Sequence, residues 1–406
     1  MRRVWWGEAG GVLREAVSAQ PLDTREKLLG HRPRGVTAKT IGPPFYGYFL
    51  PRVYGHQKEN FMRSFSCRVC QAGLYFENSV CMRCGAKLAY SRRERAIVPL
   101  NPVGTYYDSD GREWYVCQNL VTAGCTWLAE VRGGLCFSCA LTRIRPSDND
   151  SIGMRGYRIA EEAKRHLIVE LDSLNFPIIT RDEDPEFGLT FDLLSSVDEE
   201  VVIGHEDGVI TIDLAEGDDS YREKVRSKLD EPYRTMLGHF RHEIGHYYEG
   251  LLVQGDLLTR ARELFGDDEA DYQDAIDRHY AEGPPDGWES KFISTYATMH
   301  PYEDFAETFA HYLHICETIE NAREFGLVTV APATSFVRFR DVVVGVWIPL
   351  AIALNQINRG MGKEPLYPFV IPDPVIEKLE FMAMIRVVRV ENALSDPSRT
   401  MAVRRV

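Results

Sequence analysis

The chain has 406 residues, 44% of them apolar and 11% aromatic, with a formal charge of −13. That composition suits a folded protein of two or three domains and excludes a disordered chain. The acidic balance argues against a general nucleic-acid binder. It is uneven: residues 1–61 hold ten basic against five acidic residues, 62–150 eleven against eight, and the remainder twenty-six against forty-seven.

The start, MRRVWWGEAGGVLREAV, lacks the roughly 7–15-residue apolar core of an export signal. A cytoplasmic protein with reduced thiols is therefore expected, in which regularly spaced cysteines point to metal rather than disulfides. Residues 1–61 mix Gly, Pro, Arg and aromatics without a period and are expected to be irregular or disordered. Met62 stands directly before RSFSCRVC and is a candidate for the true start. A zinc-ribbon region is expected over 62–148. It holds two sets of four cysteines: Cys67, Cys70, Cys81 and Cys84, then Cys117, Cys125, Cys136 and Cys139. The first set is two C-x2-C knuckles, each able to aim two thiolates at one tetrahedral zinc, with Gly85 suiting the turn after the second. The second set has one knuckle, CFSC, and a longer first half. Pairing within or across the sets stays open from spacing. Closed four-thiolate sites would be structural, folding a segment too small to fold alone.

After the polar stretch RPSDNDS, a second domain is expected over 152–390. An amphipathic helix reads over 156–174, a strand over 189–194, and a hairpin over 200–214 turning at Asp207-Gly208. A charged helix reads over 218–229, and a longer one over 231–253, started by Pro232. On that longer helix His242 and His246 leave the same face one turn apart, a span that suits one zinc ion. Glu243 is rotated about 100° away, too far to be a natural ligand but placed to work on a water beside the metal. Gly245 leaves room for another backbone to approach.

A catalytic zinc needs a third protein ligand and an open fourth position. Downstream, Pro301 starts a helix with the apolar stripe Phe305, Phe309, Tyr312 or Leu313, and Cys316. Glu303 and Glu307 share another face. Two carboxylates buried on one helix need partners. Glu303 is expected to bind zinc, and Glu307 to accept the N–H of a ligand histidine. The apolar run VVVGVWIPLAIAL, 342–354, is too short for a bilayer span and reads as a buried helix kinked or started near Pro349. A helix over 373–388, capped by Asp373, closes the domain, and 391–406 is expected to fray.

HEIGH followed by EDFAE resembles the gluzincin pattern, in which a later glutamate completes the zinc site and an acid four residues on orients a histidine. Tyr296, seven residues before Glu303, resembles the transition-state tyrosine of lethal-factor-like peptidases. More widely, from about Phe65 to Phe381, the chain resembles a bacterial family of zinc-binding metallopeptidases with an N-terminal zinc ribbon. FSCRVCQAGLYFENSVCMRCG, EPYRTMLGHFRHEIGHYY, YATMHPYEDFAETFAHYLH and LNQINRGMGKEPLYPFV carry the likeness. The first knuckle, Cys-Arg-Val-Cys, departs from the Pro and Gly usual there.

The expected fold is therefore α+β: a zinc-ribbon region, then a mostly helical zincin-like domain with a small sheet. The expected function is zinc-dependent peptide hydrolysis on an extended peptide or protein substrate paired to the sheet edge, with Glu243 as base, Tyr296 as oxyanion donor, one catalytic zinc and two structural ones. His205 at the hairpin and His300 beside the third ligand are candidate substrate contacts. His239, His311, His314 and Cys316 read as packing residues. The alternative is a zinc-ribbon module that binds a protein or, less in keeping with the charge, nucleic acid, with a structural or vestigial His-Glu-x-x-His site. Glu243 weighs against it, because a structural site needs no base.

Overall fold

A computed structural model describes residues 65–196, 201–218, 221–223, 234–328 and 338–395. The expectations for 1–61, for most of 218–229, for Pro232 and for the chain beyond 395 fall outside the described residues. All described residues belong to one compact unit, Lys58–Val406.

The Cys-rich region is a series of short antiparallel pairs, since no stretch between its turns is long enough for more. β1 (Phe65–Ser66) pairs with β2 (Gly73–Leu74), and β3 (Leu88–Ser91) with β4 (Ala96–Pro99). β5 (Thr105–Tyr107) pairs with β6 (Glu113–Val116), which also pairs with β7 (Leu128–Ala129). Within the second cysteine set, the one-turn helix α1 (Leu120–Ala123) lies between Cys117 and Cys125, and α2 (Phe137–Ala140), capped by Cys136, carries Cys139. Each knuckle of the first set ends on a left-handed residue. Gly85 (φ 74°) donates its N–H to Cys81 O at 2.8 Å, and Gln71 (φ 60°) donates to Cys67 O at 2.8 Å. Gly85 takes that conformation without strain, whereas Gln71 crowds its Cβ.

β8 (Thr142–Ile144) follows the last cysteine knuckle and is an edge strand of the larger sheet. The order is β10-β11-β9-β8, with β9 spanning Thr190–Leu194, β10 Gly204–Glu206 and β11 Val209–Asp213. β10 and β11 form the expected antiparallel hairpin, while β11–β9 and β9–β8 are parallel. Its turn has positive φ at both Asp207 (46°) and Gly208 (77°), and a Cβ on Gly208 would sit 2.3 Å from Phe187 O.

Beneath this sheet runs α3 (Ser151–Leu174), which starts earlier than the expected 156. Asp150 accounts for the difference: its Oδ1 accepts the N–H groups of Ile152 at 3.1 Å and Gly153 at 2.8 Å. α4 (Met236–Leu252) begins later than the expected 231, because Thr235 Oγ1 caps it by accepting Gly238 N–H at 3.0 Å. Then come α5 (Asp256–Phe265), α6 (Tyr272–Glu282) and α7 (Pro301–Glu324), with His300 as cap and Pro301 in the first turn. α7 buries Phe305, Phe309, Tyr312, Leu313 and Cys316, the stripe expected from its period. α4 packs on α7 through Gly245, where a Cβ would lie 2.9 Å from Ala306 Cα.

The apolar run beyond corrects its expectation. α8 (Phe339–Val342), a π-helical turn (Val343–Trp347) and α9 (Ile348–Gly360) make one stretch, Phe339–Gly360, of 22 residues, whose most apolar 18-residue window has a mean hydropathy of 1.4. It is long and apolar enough to cross a membrane by length and composition, and only 22% of its most apolar window is buried. Phe339, Val343, Trp347, Leu350 and Ala351 form its buried stripe, while Ile352 and Ile357 are exposed. An unbroken apolar run has no periodicity to reveal which side is covered. The π turn ends just before Pro349, the place where a proline ring crowds the preceding turn and removes a donor. α10 (Asp373–Ser395) completes the fold and runs past the expected tail start at 391.

Candidate metal centres

The structure divides the eight ribbon thiols into the two consecutive sets, without crossing. Cys67 Sγ lies 3.7 Å from Cys84 Sγ, and Cys70 Sγ 3.6 Å from Cys81 Sγ. In the second set Cys125 Sγ is 3.5 Å from Cys136 Sγ. These spacings exclude disulfides and approach the roughly 3.8 Å edge of a tetrahedron with metal–sulfur bonds near 2.3 Å. Backbone N–H groups of Asn119 (3.4 Å) and Cys136 (3.3 Å) point at Cys117 Sγ, favouring thiolate there.

The third cluster is His242, His246 and Glu303. α4 supplies both imidazoles and the first turn of α7 supplies the carboxylate. His242 Nε2 is 3.1 Å from His246 Nε2 and 2.9 Å from Glu303 Oε2, and His246 Nε2 is 3.5 Å from Glu303 Oε2. A tetrahedral zinc with nitrogen and oxygen ligands at about 2.0–2.1 Å needs edges of roughly 3.3–3.4 Å. The three donors thus fit one face of a zinc tetrahedron and leave its fourth corner to a non-protein ligand.

The surroundings hold these donors in place. His242 Nδ1–H donates to Glu307 Oε1 at 2.8 Å, and Glu307 Oε2 accepts Ser294 O–H at 2.6 Å. His246 is held differently. Its Nδ1 has no hydrogen-bond partner among the described residues, and the Tyr302 ring stacks on it at 3.8 Å and 18°. Arg241, next to His242, fixes the rotation of α4 by donating to Glu170 of α3 (3.0 Å) and to Glu317 of α7.

The charges complete the picture. Burial opposes protonation of His242, but the hydrogen bonds with Glu303 and Glu307 override it and hold its pKa well above the usual histidine value. Burial also works against the ionised form of Glu303, and the charges and hydrogen bonds of His246 and His242 overcome it, keeping Glu303 ionised. Two carboxylates and two imidazoles brought this close call for a cation between them. Glu243 stands outside the triangle. It is 7% exposed, its Oε2 has no hydrogen-bond partner among the described residues, and burial raises its pKa.

Two cavities reach the cluster. One of about 280 Å³ touches His242, Glu243, Tyr296, Glu307 and His239. The other, about 1280 Å³, runs along residues 202–209 of the hairpin to His246, Tyr272, His300 and Tyr302. Tyr296 sits at the first, its ring 5.7 Å from that of His242. His205 lines the second, where its Nε2 accepts Gly208 N–H at 3.2 Å. His300 also lines the second cavity, and both its ring nitrogens are engaged: Nδ1 accepts Tyr302 N–H at 3.1 Å and Nε2–H donates to Ala270 O at 3.0 Å. His311 shares a hydrogen bond with Tyr367 O–H at 2.7 Å, and His314 packs on Trp347. Burial lowers the pKa of His239, His311 and His314 to about 3, 4 and 3, so all three are neutral. Ser294, Tyr302 and Tyr272, whose O–H donates to Glu303 Oε1 at 2.6 Å, escaped the sequence reading. Tyr272 bears no periodic relation to the motif that could have flagged it.

Comparison with known proteins agrees with this geometry. Residues 64–150 match the family model described as "zinc-ribbon domain", and 153–385 match "Putative zinc-binding metallo-peptidase". Uncharacterized proteins of Mycobacterium tuberculosis (strain ATCC 25618 / H37Rv) and Mycobacterium bovis are each 49% identical over 330 residues, spanning 79% of this chain and 94% of the relative. No solved structure matches. The family names and the two thiol sets together support zinc as the metal. Carrying a zinc ribbon ahead of a helical domain in which two histidines and a glutamate meet, the chain belongs to the zinc-binding metallo-peptidase family.

Proposed function

We propose that the chain is a zinc-dependent peptidase, with one catalytic ion at His242, His246 and Glu303 and one structural ion in each cysteine set. The observation that carries this is Glu243: a buried carboxylate with an oxygen unpartnered among the described residues, set beside three metal donors and facing a cavity. A structural site has no use for such a group, and its burial cost of about 1–3 kcal/mol would not be kept without one.

Bound zinc supplies Lewis acidity, which polarises a carbonyl and makes water a nucleophile near neutral pH. Glu243 takes the proton of the attacking water and returns it to the leaving nitrogen. Tyr296 donates its O–H to the carbonyl oxygen as negative charge gathers there. Glu307 fixes the tautomer of His242, and Tyr302 fixes the plane of His246. A substrate peptide lies extended in the larger cavity along β10, whose outer edge pairs with no other strand among the described residues. Cysteines gathered in sets that could hold metal suit a cytoplasmic protein.

Glu243→Gln tests the reading. Zinc content should stay unchanged while hydrolysis of a peptide library falls by roughly 10²–10⁴-fold. Loss of zinc instead would make Glu243 a ligand. Wild-type protein with full zinc that cuts no peptide would remove the peptidase reading.

A further inference from the structure

Glu303 is 2% exposed and offers its two oxygens to different partners. Oε2 faces the two imidazole nitrogens, and Oε1 accepts the Tyr272 O–H at 2.6 Å. A glutamate whose terminal torsion is soft can bind metal through one oxygen or swing to offer both. A short, charge-assisted hydrogen bond on the second oxygen opposes that swing.

Tyr272 is itself braced. It opens α6, whose N-cap Asp271 accepts Asp274 N–H at 2.8 Å. The residue before that cap, Ala270, gives its carbonyl to His300 Nε2–H at 3.0 Å. His300 in turn caps α7 through Tyr302 N–H, three residues ahead of Glu303, and its ring meets Tyr272 edge-on at 5.3 Å. One imidazole therefore ties the segment carrying Tyr272 to the helix turn carrying Glu303. A tyrosine on that segment, 40% exposed overall, could have turned its hydroxyl to water; here it reaches inward to a buried carboxylate instead.

We propose that Tyr272 is a positioning residue that holds Glu303 as a one-oxygen metal ligand, with His300 as its brace. This rests on His242, His246 and Glu303 being the metal site, and its test is zinc affinity rather than turnover. The full-length, zinc-loaded chain is titrated with a competing chelator, and the most weakly held ion is followed for wild type, Tyr272→Phe, His300→Ala and, as a neighbouring control, Tyr280→Phe. Tyr272→Phe should weaken that ion by about 10–100-fold, the effect of losing a partner of a metal ligand. His300→Ala should shift it the same way by less, Tyr280→Phe should leave it unchanged, and both cysteine-bound ions should be unaffected. Tyr272→Phe stripped of that ion should stay folded, with a far-UV circular dichroism spectrum matching that of wild type treated alike. Wild-type affinity in Tyr272→Phe would overturn the proposal, and so would a loss of affinity accompanied by a loss of that fold. A zinc-loaded chain that cuts no peptide would count against the peptidase reading and leave this measurement intact.

Discussion

The two four-cysteine sets offer the same donors at similar sulfur spacing, yet they sit in different surroundings. In the first set Cys84 is exposed and Cys70 half-buried; in the second all four are buried. Cys139 Sγ lies 3.6 Å from the Glu161 carboxylate, which is fully buried and accepts Lys164 Nζ–H at 2.7 Å and Thr142 O–H at 2.5 Å. Thr142 belongs to β8, so the second set is joined on one side to α3 and on the other to the sheet that lines the larger cavity. The first set reaches α3 through Glu77, which pairs with Arg165. Identical ligand chemistry thus serves two purposes. The first set reaches the core through Cys67 and Cys81 but keeps Cys84 at the surface, and the second is wholly buried in the core that also carries the His-Glu centre.

This contrast can be broken most directly at one ligand from each set. Cys139→Ala should cost several kcal/mol, because it removes a structural metal and leaves the Glu161–Lys164 ion pair beside a void. The ribbon and the His-Glu centre should both fail, read as loss of soluble protein or of all bound zinc. Cys84→Ala should remove one zinc and leave the other two, read by elemental analysis. If Cys84→Ala also empties the His-Glu centre, the two sets do not differ in this way.

The third centre extends the comparison to an open site. Glu303→Ala should leave it without tightly held zinc, while Glu307→Ala, which removes only the acceptor of His242 Nδ1–H, should weaken binding by about 10–100-fold. Isothermal titration of both variants under one condition separates these outcomes, and the reverse order would exchange the two roles. Metal release should follow exposure and ligand count: the His-Glu ion first under a rising chelator concentration, the Cys84 set next, the buried set last.

A smaller effect is expected at the contact that assembles the open site. Gly245→Ala must push α4 from Ala306 of α7, at a cost of about 1–3 kcal/mol, and move both histidines relative to Glu303. Denaturant midpoints and zinc affinity should fall together. The smallest effect lies in the exposed knuckle. Gln71→Gly removes a strained left-handed residue and should add about 1 kcal/mol, whereas Gly85→Ala at the equivalent place should subtract a similar amount.

Features that depend on near neighbours could be read along the chain. The knuckles, the His-Glu-x-x-His helix, the Asp207-Gly208 hairpin and the apolar stripe of α7 are each set within a few residues by spacing, turn chemistry or helical period. The pair Glu303 and Glu307 was legible for the same reason: two acids on one face of a buried helix need partners. Helix starts were read less well, since Asp150 and Thr235 act through single side-chain hydrogen bonds that periodicity does not register. Other features depended on groups far apart in the chain. Docking of distant segments was needed to settle that the eight thiols divide without crossing, that β8 joins the larger sheet, and that most of Phe339–Gly360 lies outside the core. It alone joined α7 to the turn before α6 through the two hydrogen bonds of His300. It also brought Tyr272 onto Glu303 across thirty-one positions. No local pattern encodes such a contact, because its free energy is gained only once both helices have docked.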